Sequence, residues 1–335
     1  GAPSGAGRGR RHRASASASR RHDGQQGRDH ARARAARERG DDRALGRTWR
    51  IVGYIRGGIE GHVADWQEAV ERALVHYRRS GWSPAGCLAE LAAALFHGPT
   101  PVPQALERCE QLLAEATDRA GRANVLCFMG GLEALDGRID EGRRRVDEAA
   151  STYEEIGEVY SLANNSGRLL GRIELFSGDP AAAERAFRHC CAELERMGDR
   201  ASLATVAAEL ADALYQQGRF DEAGEWLDLA EKHSPADDVS AQYSWRRVRA
   251  KLLARAGELA AAETLGLESA DLAEHTDALN DRADVLIGLA EILQLAGQSE
   301  AAAARIEQAL ALCEQKGNVV TARQARVMLS AISVA

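Results

Sequence analysis

Apolar, small and polar positions repeat along this chain with a period of about 40 residues, and a glycine recurs in each repeat. The spacing between successive glycines stays between 39 and 41 residues. Such repetition is typical of a solenoid, in which each supersecondary unit packs mainly on its neighbours. The pattern therefore predicts about seven stacked units. The glycines are Gly57, Gly98, Gly137, Gly178, Gly218, Gly257 and Gly297.

The last five repeats carry small residues at two fixed positions, seven residues before the glycine and five residues after it. Small side chains let two antiparallel helices approach closely where they cross, because the distance between helix axes depends on the side chains at the contact. The pattern predicts a helix on each side of the glycine. The small residues are Gly130, Gly171, Ala211, Ala250 and Ala290 before the glycine, and Gly142, Ala183, Ala223, Ala262 and Ala302 after it.

Local end signals agree with these helices. Gly178, Asp179 and Pro180 supply a helix stop, an N-cap and a first-turn proline in succession. Gly157 and Gly198 mark joints between units. The first helices are predicted at 118–135, 158–176, 199–217, 238–255 and 278–295, the second helices at 139–155, 180–196, 221–233, 258–274 and 299–315, and a final capping helix at 318–332.

The first two repeats are less regular. A longer turn is expected after Gly57, before the second helix of that unit. Gly98 stands in the segment HGPTPVPQ, whose prolines interrupt a helical pattern. We therefore expect either degenerate units or a bend of the array there, with the proline-rich segment as a hinge.

Composition supports a helical protein without a membrane span. Ala, Leu, Glu and Arg are abundant, and the chain has only seven Pro, which favours helices. No apolar run approaches the ~20 residues of a transmembrane helix, and no secretory signal opens the sequence. The six cysteines form no CxxC pair and are interpreted as free thiols. We expect a cytoplasmic protein with no membrane partner.

Charge divides the chain into two parts. Residues 1–40 carry 11 Arg and 3 acidic residues, whereas the remainder has 32 basic and 47 acidic residues. The first segment lacks apolar residues beyond Ala and is predicted to be disordered. It is either a basic arm, a charged tail, or an edge outside the native reading frame. Residues 41–333 are predicted to form the repeat domain, whose acidity argues against nucleic-acid binding.

Catalytic signatures are lacking in the sequence. It contains no GxxxxGK[ST] phosphate loop, no HExxH and no GxSxG. The histidines, His97 among them, are predicted on helix surfaces or ends. We therefore expect no catalytic residue, cofactor or metal, and no enzyme activity in this chain.

Four register positions, 13, 10, 6 and 3 residues before each glycine, are predicted to face the concave groove of the solenoid. Paired cations there would clamp a carboxylate or an acidic peptide. The alternative is an ordinary solvated helix face. The groove residues include Asn124, Asn165, Arg168, Arg172, Asp212, Tyr215, Arg247 and Lys251.

A second candidate patch combines Tyr243 and Trp245 with Arg246 and Arg249, since aromatic residues and arginine are enriched at binding hot spots. Packing between units is the alternative for Trp245. The same alternative applies to Trp49, Trp66, Trp82 and Trp226.

The segment ADALYQQGRFDEAGEWLDLA, residues 211–230, resembles the tetratricopeptide repeat (TPR), although the unit here is longer than the usual ~34 residues. The resemblance implies an all-α, right-handed α-solenoid of TPR-like helical hairpins, ending in the capping helix.

Longer stretches resemble the C-terminal repeat region of large actinobacterial signalling proteins, in which a class III adenylate or guanylate cyclase domain and an AAA/STAND ATPase domain precede a TPR tail. Tails of large LuxR-type regulators are similar. The resemblance covers roughly 41–333. It rests on GRANVLCFMGGLEALDGR, LANNSGRLLGRIELFSGDPAAAERAFRHCCAELERMGD, LATVAAELADALYQQGRFDEA, YSWRRVRAKLLARAGELAAAE and KGNVVTARQARVML.

This resemblance implies a sensory or scaffolding tail that binds a protein or peptide and regulates an ATPase or cyclase domain in the same protein. The sequence lacks the cyclase aspartates and the phosphate loop, so no catalytic residue is carried over. A stand-alone adaptor that binds a peptide in its groove is the alternative. An enzyme with its chemistry between repeats is a weaker third hypothesis.

The groove hypothesis predicts that Arg168→Glu together with Arg172→Glu abolishes partner binding and leaves the helix content intact. Partner affinity and circular dichroism measure the two effects. Unchanged affinity would remove this groove from consideration.

Overall fold

Residues 40–334 are described in a computed structural model, and within that range the chain forms fifteen α-helices, two short π-helical segments and no strand. The predicted segment 1–40 lies outside the described residues except for Gly40. The helices are α1 Asp42–Gly53, α2 Val63–Ser80, α3 Ala85–His97, α4 Val102–Glu115, α5 Arg119–Leu135, α6 Ile139–Ile156, α7 Arg168–Ser177, α8 Pro180–Met197, α9 Arg200–Gln216, α10 Phe220–His233, α11 Val239–Arg255, α12 Leu259–Glu274, α13 Leu279–Leu295, α14 Ser299–Lys316 and α15 Val319–Val334.

Successive helices of the described chain pair into seven hairpins, and α15 covers the last one. The predicted fold class, an all-α solenoid of TPR-like hairpins, is confirmed. Helix ends follow the expected signals: Gly178 ends α7 with φ +82°, and the Asp179 carboxylate accepts from the Ala182 N–H at the start of α8. Gly157, Gly198 and Gly317 likewise end helices with positive φ, a conformation that glycine adopts without steric cost.

The small crossing residues bring paired helices into backbone contact. A Cβ atom built on Gly130 in α5 would lie 2.7 Å from the carbonyl oxygen of Gly142 in α6. In the fifth hairpin Ala211 and Ala223 occupy the same positions and are fully buried. The predicted close approach is therefore observed, and it sets how tightly each hairpin can stack on the next.

The first hairpin departs from the simple glycine turn. Gly57 lies inside the π-helical segment Tyr54–Ile59, where a Cβ would come within 2.4 Å of the Trp66 Cβ. The positive φ of this turn belongs to Gly61 instead. Gly57 is thus needed for close packing against α2, and the longer turn that the sequence predicts ends four residues later.

The second hairpin also departs from the pattern. Gly98 has an extended backbone rather than a positive φ, and α4 packs more on α5 than on α3. The prolines of this connection therefore weaken the packing between α3 and α4 within the second hairpin. The connection does not act as a free hinge, because its carbonyl oxygens are held by a side chain from the end of the solenoid, as described below.

The predicted helix 158–176 is divided. Its first half contains the π-helical segment Ser161–Gly167, which leads directly into α7. A π turn rotates the side chains that follow it relative to a continuous α-helix, and such turns are frequent at functional sites. This segment carries Asn165 and precedes Arg168, two of the predicted groove residues.

The solenoid winds so tightly that its end touches its beginning. Helix α13 contacts α3, α15 contacts α5, and α11 contacts the first π-helical segment. In each case the two elements are five hairpins apart, so one superhelical turn takes about five hairpins.

Two charged side chains of the last hairpins make hydrogen bonds across this closure. Lys316, which is fully buried, donates from Nζ to the carbonyl oxygens of Leu95, Gly98 and Thr100 at 2.8, 2.7 and 2.8 Å. Asp277 accepts from the backbone N–H groups of Val63 and Ala64 at 2.6 and 2.9 Å. These contacts join residues more than 210 positions apart in the sequence.

The core consists of the facing sides of the hairpins. All six cysteines are buried free thiols, as expected, and Trp245 is buried between units. The expectation of core packing is wrong for Trp82, which is 43% exposed with the Arg43 guanidinium over its ring. No helix in the range 40–334 is both long and apolar enough to cross a membrane.

The crossing contact predicts opposite effects for two glycine substitutions. Gly130→Ala is expected to destabilise the fold by about 1–3 kcal/mol, because the new methyl group overpacks the contact with Gly142. Gly224→Ala in α10 is the matched control, since a Cβ there meets open space and alanine favours the helix by about 0.5–1 kcal/mol. Urea unfolding measures both, and equal shifts would contradict the packing account.

Candidate functional site

The first helices of the hairpins line the inside of the superhelix, and their polar side chains meet there. We call this surface the inner face; it consists of the predicted groove residues and the carboxylates that they contact. The structure brings Arg168, Arg172, Asp212, Arg247 and Lys251 into one ionic cluster, in which carboxylates of α9 and α13 separate the cations.

Arg168 and Arg172 are both paired within the chain. Arg168 makes a bidentate contact with Glu209 of α9, with both N–O distances 2.9 Å. Arg172 donates to Asp281 of α13 at 2.7 Å, across the axis of the superhelix. Their side chains are only 24% and 11% exposed. The solvated-face alternative therefore does not describe them.

This pairing changes what the double charge reversal would do. Glutamates at positions 168 and 172 would face Glu209 and Asp281, and like charges in a partly buried site are strongly unfavourable. The structure therefore does not support the sequence-based prediction that this variant keeps its helix content. Neutral substitutions are the better probes of the inner face.

Asp212 holds two more cations. Its carboxylate accepts from Arg247 at 3.2 Å and from Lys251 at 2.8 Å. Burial opposes its ionisation, but Arg247 and Lys251 outweigh burial and hold the pKa of Asp212 well below its usual range. Asp212 is thus an ionised carboxylate at the centre of the cluster.

Tyr215 continues the network at the C-terminal ends of these helices. Its hydroxyl donates to Glu291 of α13 and accepts from Arg255 Nε at 3.0 Å. Lys251 Nζ lies 4.2 Å from the centre of the ring, a cation–π distance. Like Arg172, Tyr215 therefore contacts the seventh hairpin across the axis.

The asparagines form a separate, neutral network. Tyr153 OH and Asn165 Nδ2 both donate to Asn124 Oδ1, at 2.8 and 3.2 Å. In the same π-helical segment, Asn164 Nδ2 donates to Tyr160 OH, whereas its buried Oδ1 has no partner among the described residues. Asn165 therefore belongs to this amide network and lies outside the ionic cluster.

Asp281 was missed by the sequence reasoning. It accepts from Arg172 and, at 3.1 Å, from the Tyr243 hydroxyl. Burial opposes its ionisation, but Arg172, with a smaller effect from Arg168, outweighs burial and lowers the pKa of Asp281 to about 2. Asp281 lies one helical turn before the first of the four positions that are predicted, from the repeat glycine, to face the groove. The repeat pattern therefore does not select it.

Asp284 and Glu291 could have been found from the sequence, because they stand 13 and 6 residues before Gly297. Asp284 makes no hydrogen bond or ion pair with any residue in the described range. Burial raises the pKa of Asp284 to about 6 against the opposing effect of Arg247 and Arg172, and the proximity of Asp281 acts in the same direction as burial. The cluster therefore contains one carboxylate whose negative charge is poorly compensated.

His97 is not a surface histidine. It faces the same cluster from the end of α3, and burial lowers its pKa to about 3, with Arg172 and Arg168 adding to the effect of burial. The sequence predicts a position on a helix surface or at a helix end, and His97 is the last residue of α3. His97 is neutral at physiological pH and contributes no charge to the inner face.

The second candidate patch does not form one surface. Tyr243 belongs to the inner face through Asp281. Arg246 donates to Gln242 within its own helix, and Arg249 pairs with Asp228 of α10. Since Trp245 is buried, these residues serve different contacts.

The inner face offers ionic and amide groups rather than a metal site. No group of three or more His, Cys, Asp or Glu residues in the part of the chain that the structure describes is placed to hold a metal ion. The arrangement therefore presents arginines paired with internal carboxylates, and one carboxylate, Asp284, that has no ion-pair partner among the described residues.

Asp284→Asn is expected to stabilise the fold by about 2 kcal/mol near pH 7.5, because it removes a buried charge whose pKa is raised to about 6. As the pH falls through 6 towards 4, the native Asp284 takes up a proton that the unfolded chain does not bind. The gain should therefore shrink at lower pH. Urea unfolding between pH 4 and 8 measures it.

Asp271→Asn is the control for this experiment, since Asp271 is exposed on α12 and its replacement should have no pH-dependent effect on stability. A gain for Asp284→Asn that stays constant across the pH range would contradict the assignment.

No protein-family model and no curated protein matches this sequence. Solved structures are similar in fold. The Rap protein complexed with Competence and Sporulation Factor is 16% identical, with 82% of this chain and 77% of that chain covered and a TM-score of 0.63. NprR in complex with its cognate peptide NprX is 13% identical, with 89% and 79% covered and a TM-score of 0.53.

A STAND protein with a tetratricopeptide repeat sensor, PH0952 from Pyrococcus horikoshii, is 13% identical, with a TM-score of 0.52. The match covers 86% of this chain and 44% of that one, so this chain spans less than half of that protein's length. At these identities the likeness establishes the fold, and the chain is a TPR-like helical solenoid.

Proposed function

We propose that this chain is a protein-interaction module whose inner face binds a peptide segment of a partner protein. The observation that carries the proposal is the convergence of ionic, amide and phenolic side chains from successive first helices on one concave surface. Repeat solenoids present extended concave surfaces of this kind to their partners. The similar structures of Rap and NprR were solved with a factor and a peptide bound, which supports the same use here.

The partner segment is proposed to be acidic. Its carboxylates would replace Glu209 and Asp281 beside Arg168 and Arg172, so that each guanidinium keeps a charge-assisted hydrogen bond throughout the exchange.

The chain is further proposed to act as the sensory C-terminal region of a multidomain signalling protein that carries a cyclase or ATPase domain, or of a LuxR-type regulator. The resemblance of its repeats to such tails supports this, as does the fold shared with a STAND protein that has a TPR sensor. A stand-alone cytoplasmic adaptor is the second candidate. The reading frame upstream of residue 1 distinguishes them: a phosphate loop and cyclase aspartates in that frame favour the tail, and their absence favours the adaptor.

Two neutral substitutions test the acidic-peptide proposal, and they are expected to change the affinity for acidic peptides in opposite directions. Arg168→Gln should weaken binding of labelled acidic decapeptides by about 10–100-fold, because one charged hydrogen-bond partner is lost. Glu209→Gln should tighten binding on the order of tenfold, because it removes the internal competitor for Arg168. Fluorescence anisotropy with acidic, neutral and basic decapeptide pools provides the measurement.

Arg249→Gln is the matched control, since Arg249 pairs with Asp228 away from the inner face, and it should bind like the native chain. Preference for the basic pool, or equal weakening by Arg168→Gln and Glu209→Gln, would overturn the acidic assignment.

A further inference from the structure

Two helices at the start of the solenoid receive their end caps from its last hairpins. Helix α2 begins at Val63, and its own N-cap residue, His62, makes no capping hydrogen bond. The Asp277 carboxylate supplies the cap by accepting from the N–H groups of Val63 and Ala64. A side-chain acceptor at this position is the usual way to satisfy the first N–H groups of a helix. Here it comes from the joint between α12 and α13.

The end of α3 is capped in the same manner but with the opposite charge. Leu95 O is one of the last carbonyl groups of α3, and Gly98 and Thr100 follow in the connection to α4. All three carbonyl groups accept from the Lys316 ammonium group. A cation at a helix C-terminus and an anion at a helix N-terminus both complement the helix dipole. Each of the two capping side chains therefore carries the charge that complements the helix end it contacts.

The apolar contact beneath these caps is small. Val63, Ala94 and Ala278 form a buried cluster of their own, and the Thr276 methyl group lies over Gly61. Repeats in a solenoid otherwise pack on their sequence neighbours, so no large core crosses the closure at this point. The side chains of Asp277 and Lys316 together contribute five hydrogen bonds across it, and the Asp277 N–H adds one to the Gly61 carbonyl oxygen at 3.2 Å.

The inner face is complete only when the superhelix is closed. Arg172 reaches Asp281, and Tyr215 reaches Glu291, because the seventh hairpin lies across the axis from the fourth and fifth. If the last hairpins moved away from α2 and α3, these contacts would separate, and Arg172 would lose its hydrogen bond to Asp281.

We propose that Asp277 and Lys316 form a latch that keeps the superhelix closed and withholds the inner face from partners. The latch is an autoinhibitory contact: release uncaps α2 and α3, separates the cross-axis ion pairs, and opens the axis to an extended chain. This inference goes beyond the proposed function, because opening is measured on the full chain with no partner present.

Lys316→Met tests the latch, because methionine keeps an unbranched side chain that is one heavy atom shorter and removes the three donors. Small-angle X-ray scattering should show a larger radius of gyration than the native chain. Hydrogen exchange at the Val63 and Ala64 amides should speed up on the order of tenfold, while the crossing contacts of α9 and α10 keep their protection. Asp277→Asn should give the same pattern through the other half of the latch.

Lys232→Met and Asp271→Asn are the matched controls, because both residues are exposed on helices of the same solenoid. Unchanged scattering and exchange in Lys316→Met and Asp277→Asn would overturn the proposal. Uniform loss of protection in every hairpin of both variants would also overturn it, because the two residues would then be required for folding and would not act as a releasable latch. Failure of the peptide-binding test leaves these measurements unaffected.

Discussion

Close backbone contact between the two helices of each hairpin is the constraint on which the rest of the structure depends. Where Gly130 meets Gly142, or Ala211 meets Ala223, no larger side chain separates the helix axes. Thin hairpins stack with a rotation between neighbours that accumulates along the solenoid. The resulting turn of about five hairpins brings the first hairpin against the sixth and the second against the seventh, and it places side chains from opposite walls within hydrogen-bond distance.

That tight turn explains why the inner face is ionic and yet nearly closed to solvent. In a wider solenoid, rows of arginine and aspartate on successive helices would each face water. Here Arg172 and Asp281 come from hairpins that are 109 residues apart in sequence and neutralise one another. Charges brought out of water in this way are tolerated only when paired. Asp284, which lacks such a partner in the described range, is the weak point of the arrangement.

Much of the fold follows from local sequence signals. Helix ends in the last five hairpins fall close to the predicted positions because caps such as Asp179 and glycines such as Gly178 act within one turn of the chain. The first two hairpins were harder to predict. Gly57 stands at the spacing of the repeat glycines, but it serves close packing against Trp66. The π turn at Ser161–Gly167 leaves no signal in the apolar pattern.

The candidate site was predictable only in part. The glycine register selected cations that the structure brings into one cluster, but their carboxylate partners depend on the superhelical pitch, which sums small rotations over five hairpins. Lys316 gave no signal at all, because its acceptors are backbone carbonyl groups, which every sequence has. Long-range closure of a repeat protein is therefore the property that local patterns describe least.

The buried cysteines have a practical consequence for anyone who wishes to follow motion in this protein. Burial raises the pKa of thiols such as Cys87 and Cys127 to about 12, so they stay protonated and react slowly with maleimides or iodoacetamide. A single cysteine introduced on an exposed helix face would carry a fluorophore or spin label selectively. The native thiols can therefore be left in place, and the interior packing that they complete stays undisturbed.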